Sequence, residues 1–280
     1  MFSLVYTYRV DLTDLLMLLK KWSDHGHSIT CVWDGEAPME KKIIIKERRS
    51  LRDFAANDKK ELEEYIEKFR DQLSESDIRH ATAAITALSW RCWHMTGKKR
   101  MEIQETLGPS IRHIHARGEA DDMLVDMSAS NMVDVVLTLD SDLFALGTEH
   151  IWRLLQIRGE WIVEDIHVED ACNRHGITLS MLQEACFLGG WDRCHLNGKP
   201  YMALGTALNR IKFYFTLAAV VERFHDEVPI DEEAIHRLNV IKKDSKKRWN
   251  AILRARCLDE PFADHIGLQH TEMRQLQVGL

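Results

Sequence analysis

Acidic side chains recur in four short blocks of this sequence: Val32-Trp33-Asp34-Gly35, Gly118-Glu119-Ala120-Asp121-Asp122, Leu139-Asp140-Ser141-Asp142 and Gly189-Gly190-Trp191-Asp192. Asp34, Glu119, Asp121, Asp140, Asp142 and Asp192 each fall near the end of an apolar run, where an α/β sheet delivers side chains to one edge. Carboxylates gathered at such an edge repel one another unless cations neutralise them. An oxygen-only donor set suits magnesium, with Mn2+ as a substitute. A pair of ions about 4 Å apart would activate water and stabilise the leaving oxygen of a phosphodiester. Asp140 and Asp142 are two apart, which on an extended segment places both on one side. Each block also has a plainer reading: Asp-x-Asp is common, Gly-Glu-Ala-Asp-Asp suits a helix cap, and Asp-Gly suits a turn. Their joint order, each on a matching element, favours the metal site.

The elements that must position these acids follow from hydrophobic rhythm. Residues 10–22 have helical spacing and end at Gly26; residues 28–33 read as a buried strand delivering Asp34. Residues 111–116 read as a strand, 118–130 as a helix with acids in its first turn, 133–139 as a strand ending at Asp140, and 151–156 as another strand. This alternation predicts an α/β fold, a parallel sheet with helices on its faces. Residues 39–106 differ in composition: basic knots at Lys41 to Arg52 and at Lys98 to Arg100 flank a charged helix with few apolar anchors. From about residue 166 the pattern is helical, broken at Gly189-Gly190, at Gly198-Lys199-Pro200 and at Gly205.

At 280 residues, 45% hydrophobic and 29% charged, the composition fits a globular domain with a smaller appendage. The longest apolar stretch, Phe213 to Val221, is too short to span a bilayer, and the N-terminus does not read as a signal peptide. Six scattered cysteines point to a reducing compartment. Cys172-x-x-His175 and Cys194-His195 are halves of a zinc pattern without a second half of suitable spacing. The net charge of −7 does not exclude nucleic acid, because binding needs only a local basic stripe.

In order and spacing, these blocks resemble the flap endonuclease/XPG family of structure-specific 5′ nucleases. That family carries a strand ending Phe-Asp-Gly, a basic arch, then Glu-Ala-Glu-Ala, Glu-Asp-x-Asp and Gly-x-Asp-Tyr, matched over roughly residues 10–215. The resemblance implies a PIN-like parallel sheet flanked by helices, a helical arch insertion and a smaller C-terminal all-α segment of helix–two-turn–helix type. It divides the chain into nuclease core at 1–49 and 107–165, arch at 50–106, a DNA-binding segment at 166–225 and a charged extension at 226–280. It implies two Mg2+ ions: Asp34 and Glu119 on the first, Asp121 between, and Asp140, Asp142 and Asp192 on the second. It places Lys41 and Arg48 beside the scissile phosphate, and Arg49, Arg52 and Gly205 on DNA. The implied activity is hydrolysis of flapped or branched DNA in replication or repair. The alternatives are a relative that binds branched DNA without turnover and a PIN-like nuclease acting on RNA.

Two departures from the family pattern stand out. The family's opening Met-Gly-Ile-x-Gly-Leu and its first strand, ending in an essential aspartate, are not found; Met1 reads as lying within the helix that follows. One sheet strand and one ligand are therefore expected to be missing, which favours a late start over a degenerate relative. Asp11 and Asp14 read better as helix caps than as a replacement. The family's Gly-Ile-Gly turn is matched only by Ala203-Leu204-Gly205-Thr206-Ala207. The C-terminus lacks a Gln-x-x-Leu-x-x-Phe-Phe sliding-clamp motif. Lys242 to Arg248 reads as a solvated helix face or as an import signal, which would place the protein in the nucleus rather than the cytoplasm.

Overall fold

The computed structural model describes residues 2–7, 12–37, 41–191, 193–194, 200–224 and 232–258, without the side chains of 2, 3, 6, 43, 44 and 251–258. Asp11 and Asp192 thus lie outside the described residues. A short helix α1 (Phe2–Thr7) precedes α2 (Leu12–Asp24), whose 3.6-residue rhythm buries Leu15, Leu16, Leu18 and Leu19. Gly26, at φ 94°, turns the chain into β1 (Thr30–Trp33). β1 pairs in parallel with β2 (Arg112–His115), in the register Thr30 to Arg112 and Trp33 to His115.

Between β1 and β2 the chain makes a long excursion. α3 (Lys42–Phe69) and α4 (Glu75–Cys92) form a helical hairpin through a 3-10 turn at Arg70–Gln72. α4 opens with a complete capping box, Ser74 with Asp77, a device worth about 1 kcal/mol. No residue of α4 is buried, and Leu51, Phe54 and Tyr65 of α3 are exposed. The hairpin therefore has little apolar anchorage, as its composition predicts. α5 (Gly97–Leu107) returns the chain to the core with Ile103 and Leu107 buried.

The second half begins with α6 (Ala120–Ala129). β3 (Val136–Leu137) pairs in parallel with β4 (His150–Ile157), and β4 pairs in antiparallel with β5 (Glu160–His167). The β1-β2 and β3-β4 pairs give the expected parallel sheet, and β5 is an antiparallel edge strand added to it. Arg158 and Gly159, both at positive φ (54° and 84°), make a two-residue hairpin turn that sends β5 back along β4. The sheet lies in two parts, β1-β2 and β3-β4-β5. An apolar cavity of about 380 Å3, walled by Cys31 and Val32 of β1 and by Val135, Val136 and Leu137 around β3, separates them.

Helices close the remaining faces: α7 (Asp142–Leu146), α8 (Val168–Arg174), α9 (Leu179–Leu188), α10 (Leu204–Tyr214), α11 (Leu217–Arg223) and α12 (Glu232–Leu258). Gly205 does not break a helix; it sits in the first turn of α10. The basic run in α12 is not simply a solvated face. Lys242 pairs with Glu184 at 2.5 Å, Arg248 with Asp126 at 2.8 Å, and buried Ser245 meets Gln183 at 2.9 Å. Glu184 also accepts the Leu217 backbone N–H at 2.7 Å, so one buried carboxylate ties α9, α11 and α12 together. Among the described residues, no helix is long and apolar enough to cross a membrane.

Candidate metal centre

Asp34 leaves the C-terminal end of β1, and two contacts fix where it points. Trp33, buried beneath it, donates its indole N–H to Nδ1 of His113 at 3.2 Å. Burial and neighbouring His115 hold His113 below the usual histidine pKa, which keeps that ring nitrogen an acceptor. Asp34 Oδ1 accepts the Ala120 backbone N–H at 2.8 Å, at the first turn of α6. Gly35 then docks on the Gly118 carbonyl at 2.8 Å. A Cβ on Gly35 would lie 2.0 Å from the Ala116 carbonyl oxygen, so only glycine allows this approach.

Glu119 occupies the N-cap position of α6, with Asp121 and Asp122 in its first turn, where the helix dipole favours negative charge. A single arginine gathers all three. Arg193 reaches Glu119 at 3.3 Å, Asp121 at 3.6 Å and Asp122 at 2.7 Å, with its own side chain only 10% exposed. Burial alone would lower its pKa; Asp122, Glu119 and Asp121 outweigh that and raise it. Lys41 adds a second cation, 2.7 Å from Glu119. Even so, negative charge dominates at Asp121. Burial, then the carboxylates of Asp140, Asp34 and Glu119, push its carboxyl up to about 6 against the pull of Arg193. Acids from three distant stretches of sequence therefore lie within electrostatic reach of Asp121.

Asp140 follows β3 and is held by buried Thr138, whose hydroxyl accepts the Asp140 N–H at 3.0 Å. The expectation that Asp140 and Asp142 share one side of an extended segment is corrected. Ser141 is helical and Asp142 opens α7, so the Asp142 N–H donates back to Asp140 Oδ1 at 3.0 Å. The chain turns at this point because α7 must bury Leu143, Ala145 and Leu146. Asp140 and Asp142 still share the wall of a cavity of about 680 Å3, with Arg48 of α3, Gly190 and Trp191. Lys41 and Arg48 thus both stand at the acidic pocket. Arg49 and Arg52 lie in the N-terminal half of α3, and Gly205 in the first turn of α10, next to Leu204, which lines the same cavity as Asp140 and Asp142.

The carboxylate oxygens of Asp34, Glu119, Asp121, Asp140 and Asp142 are donors that suit a hard divalent cation, while Cys172, Cys186 and His175 line the same cavity as Asp140 and Asp142. The nearby thiols are unsuited to ligation, since burial raises Cys186 and Cys194 to about 12. Sequence reasoning named the acids but missed Arg193. Its only sequence signal is a lone basic residue directly after the Trp191-Asp192 block.

Part of the chain is similar in sequence, and most of it in fold, to known proteins. Residues 110–192 match the XPG I-region family. Exonuclease 1 of Oryza sativa subsp. japonica is 28% identical over 149 residues, covering 50% of this chain and 18% of that protein. The catalytic core of Rad2 in complex with DNA substrate is similar in fold. One complex gives a TM-score of 0.50 at 22% identity over 85% of this chain and 63% of that one. A second gives 0.52 at 19% identity over 88% and 68%. The chain thus spans under a fifth of the exonuclease and somewhat under two thirds of the first Rad2 core.

Proposed function

We propose that this chain, a member of the flap endonuclease/XPG family, is a divalent-metal-dependent nuclease that hydrolyses phosphodiesters in flapped or branched DNA. The supporting observation is the convergence of Asp34, Glu119 and Asp140 around the half-buried carboxyl of Asp121. Magnesium, when bound, would supply an activated water and stabilisation of the departing oxygen. In this reading Asp34, Glu119, Asp121, Asp140 and Asp142 hold the ions. Asp192, which lies outside the described residues, is proposed as a further ligand from its place in the Gly190-Trp191-Asp192 block. Lys41 and Arg48 face the non-bridging oxygens of the phosphate, where fixed cations offset developing charge. The α3–α4 hairpin serves as the arch for a single strand, with Arg49 and Arg52 at its base. Gly205 presents the α10 N-terminus to duplex phosphates. Specificity comes from DNA shape, since phosphate contacts position the duplex without reading sequence.

The test is cleavage of a labelled 5′-flap duplex by the purified chain in magnesium, beside a linear duplex and a matched RNA flap. Flap-selective DNA cleavage that is lost in D140N supports the reading; equal cleavage by wild type and D140N rejects it. One observation favours a second reading, binding of branched DNA without turnover. Arg193 and Lys41 already neutralise much of the acidic pocket. That reading expects salt-sensitive flap binding, unchanged in D140N, with no product.

A further inference from the structure

The β4–β5 hairpin carries a second cluster of ligating side chains with different chemistry. His150 and His167 are direct cross-strand partners, as are Trp152 and Asp165. Residues two apart on a strand share a face, so His150, Trp152, Asp165 and His167 all project from one side of the ribbon. The two imidazoles stack with ring centroids 4.1 Å apart. Asp165 Oδ1 lies 2.5 Å from His150 Nε2 and accepts the Trp152 indole N–H at 3.1 Å. The other His150 nitrogen, Nδ1, faces the Asp134 carbonyl oxygen at 3.1 Å. One ligating atom from each of His150, Asp165 and His167 lies within 4.8 Å of the others.

From this arrangement we infer that His150, Asp165 and His167 form a binding site for a late first-row divalent ion of the zinc class. A metal-binding histidine typically donates its remote ring N–H to a carbonyl, which leaves the other nitrogen free to ligate. His150 has that contact at Asp134. Trp152 orients the carboxylate in the same way. Zinc bonds to nitrogen and oxygen are about 2.0–2.2 Å, so small rotations of exposed Asp165 and His167 bring three donors onto one ion. Three protein ligands leave a tetrahedral ion one position for water. Two imidazoles exclude magnesium, which requires near-octahedral oxygen coordination. The acidic pocket and this triad therefore sort two kinds of ion. An ion here would sit between His150, Asp165 and His167 and would pin β5 to β4.

The site is tested on the full, untagged chain, stripped of metal and held in excess Mg2+ so that the acidic pocket does not compete. Zinc is titrated against a chromophoric chelator, and thermal unfolding is followed with and without zinc. The expected result is one zinc equivalent at micromolar affinity or tighter, with a rise in the thermal midpoint. H167A, changing an exposed residue, keeps the zinc-free midpoint but loses both the equivalent and the rise. H167D, which restores an oxygen ligand, recovers part of each. D140N and C172A bind as wild type. No zinc equivalent in Mg2+, an unchanged rise in H167A, or loss in C172A instead would overturn the assignment.

Discussion

Replacing Asp121 by asparagine is expected to stabilise the protein when divalent ions are absent, although it removes a candidate ligand. The Asp121 carboxyl is pushed from an ordinary 3.8 to about 6, chiefly by burial and then by Asp140, Asp34 and Glu119. A rise of that size corresponds to about 3 kcal/mol between protonation states, an upper bound for a partly exposed group beside an arginine. The sign follows from proton binding. The folded state holds this proton more tightly than the unfolded chain, so at pH above about 6 the ionised carboxylate is a net cost. The cost is relieved as pH falls through about 6 towards 3.8. Asparagine removes that cost and forfeits about 0.5 kcal/mol of helix-dipole attraction at the start of α6. The expected gain for D121N at pH 7.5 in chelator is therefore about 1–2 kcal/mol, or about 2–8 °C in the thermal midpoint for a chain of this size. Adding magnesium should reverse the order, because an ion that binds only the folded state stabilises the wild type in proportion to ln(1 + [L]/Kd). Urea and thermal unfolding of both proteins, in chelator and in magnesium, provide the assay. A D121N protein clearly less stable than wild type in chelator, or one equally stabilised by magnesium, would refute the reasoning.

Other perturbations have defined outcomes. G35A forces the Ala116 carbonyl away from a 2.0 Å overlap and should cost more than about 2 kcal/mol in urea unfolding while displacing Asp34. R193Q leaves Glu119, Asp121 and Asp122 without their shared partner. It should lose about 2–4 kcal/mol in chelator and gain more from magnesium than wild type does, read by thermal shift. E184A strands Lys242 and the Leu217 N–H, for an expected loss of about 2–4 kcal/mol with C-terminal hydrogen exchange rising first. K41A should slow flap cleavage about a hundredfold or more at saturating DNA, and an unchanged turnover would remove Lys41 from the phosphate site.

The elements that carry Asp34, Glu119 and Asp140 were legible because each of these acids lies at the edge of an element with its own apolar rhythm. Leu15 to Leu19 and Cys31 to Trp33 announce α2 and β1 by period alone, and Asp34 follows from them. The sequence pattern is silent where geometry depends on partners far along the chain. The link from Asp34 to Ala120 spans 86 residues and emerges only once β1 and β2 are in register. The turn at Ser141, which cancels the simple alternation of Asp140 and Asp142, is imposed by the burial of α7. Arg193 was hidden because one arginine among many carries no local signal until three carboxylates surround it. β5 was missed because Arg158-Gly159 is not among the usual hairpin dipeptides, yet it adopts the two positive φ angles such a turn requires. The inward face of α12 was obscured by its charge; Lys242 and Arg248 look solvated until Glu184 and Asp126 are placed opposite them.

The central claim, that these acids form one ion-binding pocket, is tested most directly by electron paramagnetic resonance of Mn2+. The experiment uses the H167A background, so that the hairpin triad does not contribute. Saturable Mn2+ binding, displaced by Mg2+ and abolished together by E119Q and by D140N, is the predicted result. Binding that survives both substitutions, or no binding to the parent, would contradict it.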